Sequence, residues 1–238
     1  MNRKGGRKAG ELRPTKVEVD YIEYPEGSVL LSMGKTRVLC NVSIEERVPA
    51  WMKRKELPGG WITAEYALLP RSTTSRVPRE TDGLGGRTQE IRRLIGRSLR
   101  AGFDLTRLGE RTCIVDCDVL QADGGTRTAA ITGGYLALRL ALQPLIAEGE
   151  VSSEVILPAV AAVSVGFLEG RALLDLCYLE DSSAEVDLNL VMNEEGKLIE
   201  VQGTAEGAPF SRGDLDLMLD LAAGGIGELF SLYRETLE

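Results

Sequence analysis

Two stretches of the chain bring glycines, a hydroxyl and an arginine together where a helix would begin. Asp123-Gly124-Gly125-Thr126-Arg127-Thr128-Ala129-Ala130 follows an alternating run and precedes a long helical pattern. The first amides of a helix have no partner within it and sit at the positive end of its dipole. Glycine lets an anion approach that backbone, Thr126 adds a hydroxyl, and Arg127 adds a planar fork matched to phosphate oxygens. Gly85-Gly86-Arg87-Thr88-Gln89-Glu90 repeats the pattern ahead of a second helix. The pair predicts two guanidinium groups, Arg87 and Arg127, converging with Gly125 and Thr126 on one phosphate. Each stretch also reads without an anion: as a turn capped by Asp123 or Thr126, and as first-turn capping by Glu90.

Carboxylates are dense in Leu179-Glu180-Asp181-Ser182-Ser183-Ala184-Glu185-Val186-Asp187. With Val186, Leu188 and Leu190 facing a core, Asp187 faces away from it, and a loop through Ser182-Ser183 can return Asp181 beside it. Two carboxylates and a substrate phosphate suit Mg²⁺, which keeps water in the rest of its shell. A solvated acidic turn is the plainer alternative. A rival pair, Asp116 and Asp118, shares one strand face opposite Cys113, Val115 and Cys117, and can instead partner the arginine-rich helix that follows Arg87. Arg71, Arg76 and Arg79, with Lys53-Arg54-Lys55 upstream, offer sequence-independent contacts to a polyanion.

Composition narrows the chemistry. The 238 residues contain no histidine, which excludes Ser-His-Asp and Cys-His nucleophilic arrangements and imidazole acid–base catalysis. Cys40, Cys113, Cys117 and Cys177 show no C-x-x-C spacing, so they read as reduced, buried thiols. The net charge of −8 hides a polarised chain: residues 1–111 carry 22 basic against 14 acidic side chains, residues 112–238 only 6 against 22. Such a chain can offer a basic face to a polyanion and an acidic site to a cation. The basic N-terminus lacks the apolar stretch of a secretory signal, and the uncharged run Val155 to Leu168 is too short for a bilayer and contains Pro158. No membrane association is expected.

These residues need a scaffold. Residues 1–14 are rich in Gly, Lys and Arg and read as a flexible basic arm ahead of a single domain over 15–238. Strands are predicted at Val17 to Ile22, Val29 to Met33, Val38 to Ile44, Trp61 to Leu69, Thr112 to Leu120, Ala159 to Leu168, Ala172 to Leu176, Val186 to Met192 and Leu198 to Gln202. Helices are predicted from Ile91 to Leu99, Thr126 to Ile146 and Arg212 to Leu237, and a long loop over 70–86. Runs of strands between helices argue for an α+β, mixed α/β fold, with helices on a mostly antiparallel or mixed sheet.

Several blocks carry a family likeness. Gly60-Trp61-Ile62-Thr63-Ala64-Glu65-Tyr66, Leu69-Pro70-Arg71-Ser72-Thr73, Gly86-Arg87-Thr88-Gln89-Glu90-Ile91, Asp116 through Arg127, and Val201-Gln202-Gly203-Thr204-Ala205-Glu206-Gly207 resemble ribonuclease PH, in order and over almost the whole chain. The likeness is to the stand-alone bacterial type. It implies the ribonuclease PH fold and a phosphate-dependent 3′→5′ exoribonuclease that trims transfer RNA precursors. Such an enzyme releases nucleoside diphosphates, runs in reverse as a nucleotidyltransferase, and forms a cytoplasmic homohexamer, a trimer of dimers. By the same likeness, Arg87, Gly125, Thr126 and Arg127 hold phosphate, and Arg71, Arg76 and Arg79 contact RNA. Asp181 and Asp187 are catalytic and hold Mg²⁺. Thr74-Ser75 stands where many relatives carry a histidine, and Asp82-Gly83-Leu84-Gly85 lacks a lysine common among them. The alternatives are a non-catalytic RNA-binding ring subunit and a metal-dependent hydrolytic exonuclease.

Overall fold

The computed structural model describes residue 3 and residues 6–237. Two sheets enclose the central helices. The first has the order β1-β2-β3-β5-β4: β1 (Thr15–Val19), β2 (Gly27–Met33), β3 (Thr36–Glu45), β4 (Trp61–Leu68) and β5 (Thr112–Gln121). Its pairings are antiparallel except β4 with β5. That parallel pair requires a crossover, and α2 (Gly86–Arg100) supplies it. The second sheet, β7-β6-β8-β9, is antiparallel: β6 (Val160–Leu168), β7 (Arg171–Leu174), β8 (Val186–Asn193) and β9 (Leu198–Ala205). A short helix α1 (Ala50–Arg54) precedes β4.

α3 (Thr126–Ala147) packs against both sheets, and α5 (Arg212–Leu237) covers β6 and β7. One continuous apolar core spans both sheets and these helices. Period-2 alternation aims Val38, Cys40, Val42, Cys113, Val115, Cys117 and Val119 at α3, and all are buried. The four cysteines are free and buried. Gly133 explains how closely α3 approaches the first sheet: a Cβ there would lie 2.9 Å from Cys40 Sγ. By length and hydropathy α3 would pass as a membrane span, but most of that apolar stretch is buried inside the structure.

The expectation of a flexible basic arm is corrected for the described residues before Thr15. Arg3 and Arg13 are buried, and the backbone N–H of Leu174 donates to Ala9 O, tying the segment to β7. Buried acids draw these arginines in: Arg3 pairs with Glu180 and Arg13 with Asp175. Composition registers the basic residues but not their acidic partners more than 160 positions away.

Candidate active site

The glycine turn between β5 and α3 is the centre of the site. Gly124 and Gly125 both take left-handed backbone, at φ +80 and +62. A Cβ on Gly124 would lie 2.4 Å from Leu176 O, so only glycine lets this turn dock against the second half of the chain. Gly125 is the residue preceding the helix and supplies no side-chain cap. The expectation of a cap from Asp123 or Thr126 fails here, because both side chains are engaged elsewhere. Asp123 Oδ1 accepts from Tyr178 N (3.3 Å), and Thr126 Oγ1 meets the Tyr66 hydroxyl at 2.7 Å. The amides of Thr126 and Arg127, in the first turn of α3, have no acceptor among the described residues. This helix start is therefore open to an anion.

Arg127 reaches out from that turn. Its Nη1 donates to Glu90 Oε1 (3.2 Å) and Gln202 Oε1 (3.1 Å), so one residue from α2 and one from β9 steer it. Burial raises the pKa of Tyr66 and of Asp181, and Arg87, in the first turn of α2, lies close enough to both to oppose that rise. Arg127 acts on the same two groups. Both guanidinium charges therefore act on the same two groups. The start of α2 itself is different: Glu80 comes back to it and accepts from the Thr88 hydroxyl at 2.9 Å. A carboxylate of the preceding loop thus lies beside the second glycine turn.

Asp181 ends α4 (Tyr178–Asp181), and Asp187 is the second residue of β8. Burial is the first cause of a raised pKa in both. At Asp181, Arg87, Arg127 and Arg13 oppose that rise, and Glu206 adds to it. At Asp187, Asp181 pushes further up, while Arg127 and a 3.4 Å hydrogen bond from Asn189 Nδ2 pull down. Neither carboxylate has a salt bridge among the described residues. Two adjacent, half-buried, unpaired carboxylates are a donor set for a hard divalent cation. No cluster of three or more candidate ligands occurs among the described residues, so such a cation would keep most of its shell as water and phosphate oxygens. Asp181 and Asp187 are the residues that would hold it.

The other candidates are placed separately. Arg71, Arg76 and Arg79 are exposed on the loop after β4. Arg79 acts electrostatically on Asp118, on the face of the first sheet turned from α3. The rival pair Asp116 and Asp118 lies on that face, with pKa values raised chiefly by burial. The acids that partner the arginine-rich helix are Glu65, which binds Arg92, and Glu200, which binds Arg97.

Residues 11–144 match the description "3′ exoribonuclease family, domain 1", and residues 159–225 match "3′ exoribonuclease family, domain 2". The chain belongs to the 3′ exoribonuclease family. Similar solved structures include Rrp46 from rice (Oryza sativa), with a TM-score of 0.79 at 20% identity, covering 98% of this chain and 99% of that one. An archaeal exosome core aligns with a TM-score of 0.76 at 20% identity over 96% of this chain and 90% of that one. An Archaeoglobus fulgidus exosome with RNA bound to the active site aligns at 0.74 and 22% identity, over 98% and 91%. At these identities the likeness concerns the fold, a mixed α+β architecture.

Within this 3′ exoribonuclease fold, four contributors escape sequence reasoning as site residues. Tyr66 fits the inward alternation of β4 and reads as core, though its hydroxyl ends on Thr126. Asn189 and Gln202 lie on strands with no local signal beyond a polar residue at the site's end of the sheet. Arg13 is hidden in a basic stretch. A groove of about 350 Å³ leaves the cluster along α2, from Glu90 and Gln202 past Arg93 to Arg97.

Proposed function

We propose that this chain is a phosphate-dependent 3′→5′ exoribonuclease of the stand-alone bacterial ribonuclease PH type, a cytoplasmic homohexamer that trims transfer RNA precursors. The observation that carries the reading is the convergence of Arg87 and Arg127 on Asp181 beside the open amides of α3. An anion and a cation site then adjoin, as phosphoryl transfer requires.

In this reading, orthophosphate sits between the amides near Thr126 and the two guanidinium groups. Its oxygen attacks the terminal phosphodiester in line, the P–O3′ bond breaks, and a nucleoside diphosphate leaves. The attacking oxygen is already ionised, which agrees with a chain that has no histidine. Mg²⁺ on Asp181 and Asp187 would supply neutralisation of charge at the departing 3′ oxygen. Tyr66 holds Thr126, and Glu90 with Gln202 holds Arg127, so the donors are oriented before substrate arrives.

The test is a 3′-overhanging RNA incubated with Mg²⁺, with and without added phosphate. Nucleoside diphosphates formed only with phosphate are expected. Monophosphates released at the same rate in dialysed buffer would establish the hydrolytic reading instead, and no product would leave an RNA-binding ring subunit. Arg71 and Arg76 should supply backbone contacts upstream. Replacing either by Ala should weaken binding of unrelated RNAs alike and reduce the salt-dependence slope by about 0.7. An unchanged slope would remove that arginine from the RNA path.

A further inference from the structure

The two halves of the site come from different parts of the fold, and the N-terminal segment is bonded to both. Arg13 grips Asp175 with its backbone N–H (2.7 Å), Nε (2.9 Å) and Nη2 (2.6 Å). The same guanidinium donates to Asp123 O and Gly124 O, the carbonyls of the phosphate turn. Thr36 braces that turn from beneath: its hydroxyl donates to Gly124 O (2.7 Å) and accepts from Asp123 N (3.0 Å). At the other end, Arg3 forks onto both oxygens of Glu180 at 2.9 Å and donates to Leu174 O at 2.7 Å. Arg7 lies between, donating to Asp175 O (3.1 Å) and Glu180 Oε2 (3.3 Å).

Glu180 is the residue before Asp181, and α4 is only four residues long. One helical turn fixes several dihedrals for little hydrogen bonding, so it does not hold its own direction. Here Glu180 accepts from Cys177 N (3.0 Å) on one side and from Arg3 on the other, which fixes the turn that carries Asp181. Buried ion pairs add little net stability, because desolvation offsets their attraction. What they set is geometry.

We propose that Arg3, Arg7 and Arg13 form a positioning strap for the two halves of the site, Arg13 with Asp175 setting the phosphate turn and Arg3 with Glu180 setting Asp181. None of these arginines reaches a reacting atom; each acts through the element it holds, and Arg13 adds its charge near Asp181. The proposal rests on the assignment of Gly125–Arg127 to phosphate and of Asp181 and Asp187 to a cation.

The strap predicts that its two ends separate in binding experiments. The measurements are Mn²⁺ affinity by electron paramagnetic resonance and orthophosphate affinity by calorimetry, on the full chain, with circular dichroism confirming the fold. Arg3→Gln should weaken Mn²⁺ at least tenfold, the usual effect of losing a support behind a metal ligand, and leave phosphate within twofold. Arg13→Gln should weaken orthophosphate at least tenfold and change Mn²⁺ by a smaller factor, set by the loss of its charge near Asp181. Arg3→Lys and Arg13→Lys, which keep the charge and lose the fork, should each recover part of the lost affinity. They also carry the measurement if a Gln variant does not fold. Equal loss of both ligands in every folded variant would mean a merely structural role, and no loss of either would remove the strap altogether. Neither readout requires turnover, so a parent chain that failed to phosphorolyse RNA would overturn the proposed function and leave the strap to be judged separately.

Discussion

Asp187→Asn should abolish RNA phosphorolysis, by at least a thousandfold in kcat, while RNA binding stays within a few-fold. Asn is nearly isosteric and can keep the contact to Asn189, so the strand is undisturbed. The charge that the cation site needs is removed. Stability should move in the opposite direction to activity. Burial, and Asp181 beside it, hold the Asp187 pKa above the ordinary carboxylate value of about 3.9. A carboxyl raised in the folded state stabilises the fold at low pH, where it is protonated. That contribution is lost as pH rises through the window between the ordinary value and the raised one. At neutral pH the ionised Asp187 is therefore a cost, and Asp187→Asn should unfold at the same or a higher temperature than the parent. At subsaturating Mg²⁺, where the metal-free carboxyl is the one that titrates, the same shift places the acid limb of activity above the ordinary aspartate range, because the ionised form is the one required. Thermal melts and a pH–rate profile check both; a variant that loses activity by unfolding early would contradict the assignment.

What the sequence shows and hides follows from the range of the interactions. Alternation over Thr112–Gln121 and amphipathic spacing over Arg212–Leu237 are local, so those elements lie where their pattern puts them. The glycine turn is legible because left-handed backbone and a close approach to Leu176 leave glycine little competition. The anchoring of the N-terminus is not legible. Arg3 and Arg13 differ from exposed arginines only in having Glu180 and Asp175 as neighbours, and no periodicity records a pairing across 177 or 162 positions. The start of α2 shows the converse. Gly85-Gly86-Arg87 has the composition of an anion site, but the preceding loop lets Glu80 return beside it and accept from Thr88. Only the arginine of that motif reaches the cluster. Domain limits are ambiguous for a related reason: the family divides the chain between residues 144 and 159, whereas α3 serves both sheets and one core runs through them.

Arg127→Ala should raise the KM for phosphate by roughly 10- to 100-fold, the equivalent of about 1.5–3 kcal/mol for hydrogen bonds to a charged group. RNA affinity should change far less. The expectation follows from how Arg127 is held. Glu90 and Gln202 share one of its terminal nitrogens, which leaves the rest of the fork for phosphate oxygens beside the amides of the same helix turn. Its loss has a second, separable consequence. Arg127 lowers the pKa of both Asp181 and Asp187, so without it both carboxyls rise further. The acid limb of the variant should move to higher pH even at saturating phosphate. Arg87→Ala should also raise the phosphate KM, but Arg87 opposes the rise of Asp181 only, so its effect on the acid limb should be the smaller. The double variant should fall short of the product of the two single effects, since both arginines address one anion. Phosphate titrations of the three variants at two pH values decide the matter: independent, multiplicative losses would place Arg87 and Arg127 on different ligands.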